Sequence, residues 1–543
     1  MDTRPAHSKY KIITIVSLST AIVCVLINVI WTYVNLGLIN GKFAQTRRIT
    51  VVVFDSGGDG QHTNPKDNYY SNWIKEGVLR DLNIEIEWVS VSLWEDENEL
   101  INRLVAGNAP DVCVTSNYEL IQSFGEIDFV VDMSPYIDGH KELFPNLWDL
   151  LGEYYLHYHK DKNDGHIWAI ESIIYDNMRF NTFVREDWLT ALNIPEPKTI
   201  EEFEAMLAAF KDNSEVLLGE DADKIIPFSL SSDVSLRAST LLTSFVPNSI
   251  TDRELFAKGF DDMQFMLPNI KEGVRVLNRW YNEGFIEPDF QTYTPCDQTE
   301  DNNSKAGFVG SFIHNWDHPY LDGEDSVNST LKRSFGEKAG YIAIDPFAND
   351  AGIPRKYVEG YYAGKVFFPS TNDEPLASML FVDWISKFEN RKYLQIGEEG
   401  ITHTVHEDGS IEIIPAQKAE YIQNFLHNFD YTITISGLDL GDESLNGKSL
   451  AFNYEGIEAR YIERAYLTAK NETRILPYYY NVDVIYAEDG MDYDLEKKRD
   501  ELLIRAVKAS PADFDSVFDA GYEDYMAFGA RAIIDERTAA FEN

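Results

Sequence analysis

Cysteine is scarce in this chain, and so is any cluster that would make it reactive. Three cysteines occur in 543 residues, at positions 24, 113 and 296. No two stand at metal-ligand spacing, so neither a zinc site nor a disulfide framework organises the fold. A single Cys113–Cys296 bridge is left open by the spacing alone. The familiar hydrolase signatures are also missing: there is no Gly-x-Ser-x-Gly and no His-Glu-x-x-His. The segment 441–449, GDESLNGKS, imitates a phosphate loop but has one residue too many between its glycines, and lies among acids. Eleven histidines are scattered without a ligand pattern. Positive charge is the other shortage, with 47 Lys and Arg against 90 Asp and Glu. Residues 1–48 hold six cations (Arg4, Lys9, Lys11, Lys42, Arg47 and Arg48) and one acid, Asp2, so the body beyond them carries −48, against −43 for the whole chain. Such a body repels nucleic acid, which excludes that class of partner.

Aromatic side chains are abundant: 10 Trp, 30 Tyr and 31 Phe. With 44% hydrophobic residues they imply packed cores with rings to spare for a cleft. The length is too great for one core. No internal repeat and no low-complexity linker interrupts the chain, which favours compact, interleaved lobes.

Charge is absent between Lys11 and Lys42, and the apolar run 12–39 is long enough to span a bilayer. It exceeds a signal-peptide core, and no Ala-x-Ala site closes it. Val23 stands where a lipoprotein signal needs a small residue before Cys24. The run is therefore expected to be an uncleaved transmembrane anchor following a cytoplasmic stretch, 1–11. Flanking charges of +2 and +3 do not set its orientation.

Beyond the anchor, 49–55 (ITVVVFD) reads as a buried strand and 69–82 as a helix. Ile84, Ile86 and Trp88 alternate with acids as a strand. A helical stripe at Leu100, Ile101, Leu104 and Val105 leads to another short strand at 111–115. This alternation describes an α/β lobe with parallel pairing, whose ligands bind past the carboxyl ends of the strands. That rule points to 56–60 and 116–118. The middle region is helix-rich, strand character returns near 306–309, and the tail from Pro511 is an amphipathic helix. Trp188, Trp280 and Trp384 stand at helical core spacing and read as structural.

The most diagnostic stretch is 184–203, VREDWLTALNIPEPKTIEEF. A short amphipathic turn is stopped by Pro195 and Pro197. Thr199 with Glu202 then matches a capping box that opens a helix carrying Phe203, Met206, Leu207 and Phe210 on one face. This arrangement resembles the carbohydrate-type extracellular solute-binding proteins of bacterial ABC importers. Four further fragments fall in the family's order: LVAGNAPD (104–111), DGHIWAI (164–170), EGFIEPD (283–289) and KAG (305–307).

The resemblance implies an α/β fold of the periplasmic-binding type (type II, Venus flytrap), with interleaved lobes closing about a hinge. The expected division gives 49–170 and 305–365 to lobe 1, and 171–304 and 366–543, with a C-terminal helical tail, to lobe 2. The implied function is capture of an oligosaccharide and delivery to ABC permease subunits, with no catalysis and no cofactor. The single-pass anchor would hold the body outside the cell membrane. A glycan sensor of the same fold, a peptide receptor and a surface glycoside hydrolase are the alternatives; no catalytic residue is assigned.

Sugar faces pack on rings and hydroxyls need fixed polar partners. The candidate ligand contacts at strand ends and crossovers are Asn117, Tyr118, Glu171, Tyr175, Trp316, Asp317, Tyr361, Tyr362 and Trp73. Trp94 is a weaker candidate. The family's calcium loop corresponds to 211–227, where Val216, Leu217 and Leu218 interrupt the oxygen ladder and Lys224 replaces the last acid. No metal is therefore expected.

Overall fold

The computed structural model describes residues 36–542 apart from 56–63, 93–95, 159, 161–164, 176–177, 262, 295–297, 359–363, 415–430, 477–484 and 489–491. Most of the expected anchor, 1–35, lies outside the described residues. The end of its apolar run belongs to the body: Leu38–Ile39 forms a hairpin with Lys42–Phe43, and Leu38 and Phe43 are buried in a core. The anchor therefore cannot extend to residue 39 as expected, because Leu38 already has a protein environment. Among the described residues, no helix is long and apolar enough to cross a membrane.

Two large cores organise the chain. In the first, the strand Arg47–Asp55 runs parallel to Ile84–Ser92 over nine residue pairs. Its residues Val51, Val52 and Val53 are all buried, the pattern of a strand covered on both faces. The helix Tyr69–Leu82 supplies the crossover between these strands. A bridge at Val51 and Val112 brings in Cys113–Thr115. Lys365–Phe367 then threads antiparallel between Cys113–Thr115 and Ile170–Glu171. Cys113 is a buried free thiol, and Cys296 lies outside the described residues.

The second core is built on a four-stranded sheet. Its order is Tyr341–Ile344, Phe180–Arg185, Val309–Asn315, Ile226–Phe228, with only the last pair parallel. The C-terminal helices Asp492–Lys508 and Phe514–Tyr525 pack on the helix Ile270–Asn282 and join this core through Leu502, Leu503, Phe514 and Phe518. The Asn278 amide donates to the carbonyls of Ala506, Val507 and Ala509 at 3.0, 3.0 and 2.7 Å, satisfying groups the first of these helices leaves orphaned at its end.

Side-chain packing divides the chain differently from the expectation. Val309, Phe312, Tyr341 and Tyr357 sit in the second core, although 305–365 was assigned to lobe 1. Val366, Phe368, Phe381, Leu394 and Tyr431 sit in the first, although 366–543 was assigned to lobe 2. The physical reason is strand pairing: Val309–Asn315 hydrogen-bonds to Phe180–Arg185, and Lys365–Phe367 to Cys113–Thr115.

The 184–203 stretch folds as its sequence dictates. The helix Glu186–Leu192 ends on Asn193 in the left-handed conformation (φ 53°). Thr199 Oγ1 accepts from Glu202 N at 3.2 Å to open Ile200–Asp212. The reciprocal half of the expected box is displaced by one residue: the Glu202 carboxylate accepts from the Lys198 N–H at 2.7 Å. Trp188, Trp280 and Trp384 are buried. In the segment 211–227, Ser214–Leu218 is helical and Lys224 pairs with Asp221 at 2.7 Å.

Arg185 is 1% exposed, held by Asp187 at 2.8 and 2.7 Å and by the Gly307 carbonyl at 3.0 Å. Asp187→Ala would strand that charge in the core. Urea unfolding is expected to show a loss of about 3–5 kcal/mol, whereas the exposed pair partner Asp221→Ala should change stability by less than about 1 kcal/mol.

Candidate functional site

The parallel strands of the first core end together. Thr115 closes one, Glu171 another, and Lys365 enters between them as the cross-strand neighbour of both. Immediately after Glu171 the chain leaves for the second core through Ile173–Ile174. These two residues pair in parallel with Ile435–Ser436, where the chain crosses again. A third crossing lies between Lys356–Val358 and Lys365–Phe367; its outgoing side pairs in parallel with Thr473–Ile475. On the other core, Asn315 pairs with Phe180, the first residue of the incoming strand. Each sheet therefore ends beside a chain crossing, the position where α/β sheets receive ligands.

The first face carries a buried ion pair. Lys365 is 1% exposed, and its Nζ lies 3.8 Å from Glu171 Oε1. Burial lowers the Lys365 ammonium to about 8, with Glu171 opposing the shift. Tyr175, two residues past the first crossing strand's start, bonds through its N–H to Ser436 O at 2.6 Å. Lys470 donates to the Tyr175 carbonyl at 2.7 Å and sits 4.2 Å above its ring. Burial, with Asp439 and Glu443 nearby, pushes the Tyr175 phenol up to about 12.

The second face begins where Val309–Asn315 ends. Trp316 is half-buried between the second core and a smaller cluster containing Leu438, Leu440 and Tyr466. Its ring meets Tyr454 and Tyr466 edge-on, both at 6.1 Å. Asp317 accepts from the Tyr454 hydroxyl at 2.7 Å, and burial raises its carboxyl above the usual range. Just upstream, His314 and His318 stack with centroids 3.5 Å apart, and His318 contacts Asp301 at 2.9 Å. Arg237 grips Glu300 with two nitrogens, at 3.0, 3.1 and 2.8 Å. Burial, with His318 and Arg237 adding repulsion, lowers His314 strongly, so it stays neutral. This set can orient hydroxyls and cover a ring, and it holds no nucleophile and base aligned on each other.

Of the sequence candidates, Glu171, Tyr175, Trp316 and Asp317 gather at the crossings. Asn117 instead caps the helix Tyr118–Gly125, accepting from Leu120 N at 3.0 Å. Tyr118 is 4% exposed in a cluster with Leu104, Ile121 and Trp168, so its ring has no open face. Trp73 stacks on Tyr393 at 4.6 Å and against Trp384, as part of the first core. Asn117 and Tyr118 follow a strand and Trp73 stands within the helix Tyr69–Leu82; the amide is taken up by a helix cap and the two rings by packing. Tyr361, Tyr362 and Trp94 lie outside the described residues. Lys365, Arg237, His314 and His318 were not anticipated; the one local signal was a lysine opening an apolar strand (KVFF, 365–368).

An open pocket of about 590 Å³ lies alongside, lined by Asp345, Glu443, Leu467, Thr468, Lys470, Asn471 and Glu472. None of these is aromatic, so it offers no ring face to a sugar.

No family model matches the sequence. A polygalacturonan/rhamnogalacturonan-binding protein of Bacillus subtilis is 22% identical over 499 residues, covering 88% of this chain and 89% of the relative. An HMO-binding, ABC-transporter-associated solute-binding protein from Bifidobacterium longum infantis superposes with a TM-score of 0.59 at 15% identity, covering 92% of this chain and 99% of its own. A substrate-binding protein of a Streptococcus pneumoniae ABC transporter, solved with kestose, gives 0.52 at 15% identity over 91% and 99%.

Because the unfolded lysine ammonium titrates near 10.4 and the folded one near 8, the unfolded chain binds more protons between these values. Stability should therefore rise with pH across about 8 to 10, relative to Lys365→Met, by up to about 1.4 kcal/mol per pH unit. Paired urea titrations across that window measure the difference. The chain has the fold of the carbohydrate-type extracellular solute-binding proteins of ABC transporters, the family that its sequence motifs resemble.

Proposed function

We propose that this protein is a membrane-tethered extracellular receptor that captures an oligosaccharide and delivers it to the permease of an ABC importer. The observation that carries the reading is that both sheets end beside chain crossings, with Glu171 and Tyr175 at the end of one and Trp316 and Asp317 at the end of the other. Short parallel crossings can bend while each core stays intact, which suits closure about a ligand. The relatives named above are binding proteins, and capture followed by release requires no bond to be broken. Tyr361 and Tyr362, between the second core's exit and Lys365, are proposed as further ring faces. The apolar run before residue 36 would tether the body near the permease, raising its effective concentration there. Its acidic surface suits no nucleic-acid partner.

A ligand that binds only the folded form must raise the melting temperature, by an amount equivalent to about 2.7 kcal/mol at a hundredfold excess over Kd. A glycan panel should contain at least one such ligand; a flat response across the panel would sink the reading. Trp316→Ala is expected to weaken that ligand about tenfold, a loss of ~1.4 kcal/mol, measured by calorimetry.

A further inference from the structure

Taking glycan capture at the crossings as its premise, we propose that the site accepts an uncharged oligosaccharide and rejects polyuronates. The Bacillus subtilis relative is described as binding polygalacturonan, whose every unit carries a carboxylate. Holding such a chain requires a lysine or arginine free to meet it, ideally in a bidentate grip.

The cations at these crossings are already engaged within the protein, five of them by its own acids. Lys365 faces Glu171 on the first sheet. Arg237 spends its fork on Glu300, with both side chains nearly buried (10% and 13%). Lys470 pairs with Glu443 at 3.0 Å, Lys356 with Asp345 at 2.7 Å, and Arg391 with Asp439. Arg179 lies over the Phe180 ring, 4.7 Å from its centroid. Recruiting Arg237 for a ligand would leave Glu300 buried without its partner, which is costly.

Acceptors, in contrast, are in surplus. Asp317 and Glu287 are met by phenols, Tyr454 and Tyr293, and Asp301 by His318, rather than by lysine or arginine. Glu287 Oε2 is buried with no hydrogen-bond partner among the described residues. Sugar hydroxyls donate to such oxygens; a uronate would be repelled by them. The segments beyond residue 48 that lie outside the described residues contribute only Lys162 and Lys418 in Lys and Arg.

The test uses the full-length chain with two probe sets of matched length, neutral gluco-, galacto- and manno-oligosaccharides and oligogalacturonates, read by melting shift and calorimetry. At least one neutral probe should bind, with affinity changing less than about twofold between low and high salt. Oligogalacturonates should bind at least about a hundredfold more weakly. Glu300→Gln, which releases Arg237, should narrow that gap. Tight, salt-sensitive oligogalacturonate binding by the unaltered chain would overturn the specificity while leaving glycan capture standing. A null result for both probe sets would remove the specificity and the receptor reading together.

Discussion

The two cores have in common one short parallel pairing, Ile173–Ile174 against Ile435–Ser436. It is only two residues long on each side, yet it sets where both sheets end. Glu171 lies just before it on the first sheet, and Phe180, partner of Asn315, lies just after it on the second. Tyr175 is fixed by its bond to Ser436, and Gln395 closes the other side by donating to Gly437 O at 2.7 Å. Two-residue pairings contribute little stability of their own, so each core must be self-sufficient. The extent of the two apolar clusters shows that it is. A weak link between strong bodies is the mechanical condition for a hinge.

Two buried cations near that link are paired internally. Lys365–Glu171 and Arg237–Glu300 place charge inside the protein without leaving it uncompensated, and buried pairs of this kind specify arrangement more than they add stability. Lys365–Glu171 joins two paired strands, and Arg237–Glu300 joins two helices. The acidic surface of the whole body acts at longer range against any incoming anion.

Several local elements were legible because periodicity and caps carry them. The helix Tyr69–Leu82 and the strand Ile84–Ser92 fall where the apolar spacing put them, and the Pro195–Pro197 corner with its Thr199 cap folds as read. The candidate site was legible in part. Trp316 and Tyr175 follow strands and do reach the crossings, whereas Tyr118 occupies a similar sequence context and turns into a core. A ring beside a strand end has the same local signature whether it faces a cleft or a neighbouring helix, because which side is open depends on segments far away in sequence.

Composition and pattern by themselves determined the α/β class and the family whose motifs the chain resembles. Only the tertiary structure decided which strands share a sheet. An apolar strand such as Val309–Asn315 is equally compatible with either core until its hydrogen-bond partner is known, and that partner, Phe180–Arg185, lies more than a hundred residues away. The same limit hid Lys365: its burial and its carboxylate exist only once Lys365–Phe367 has inserted between two strands of the other core.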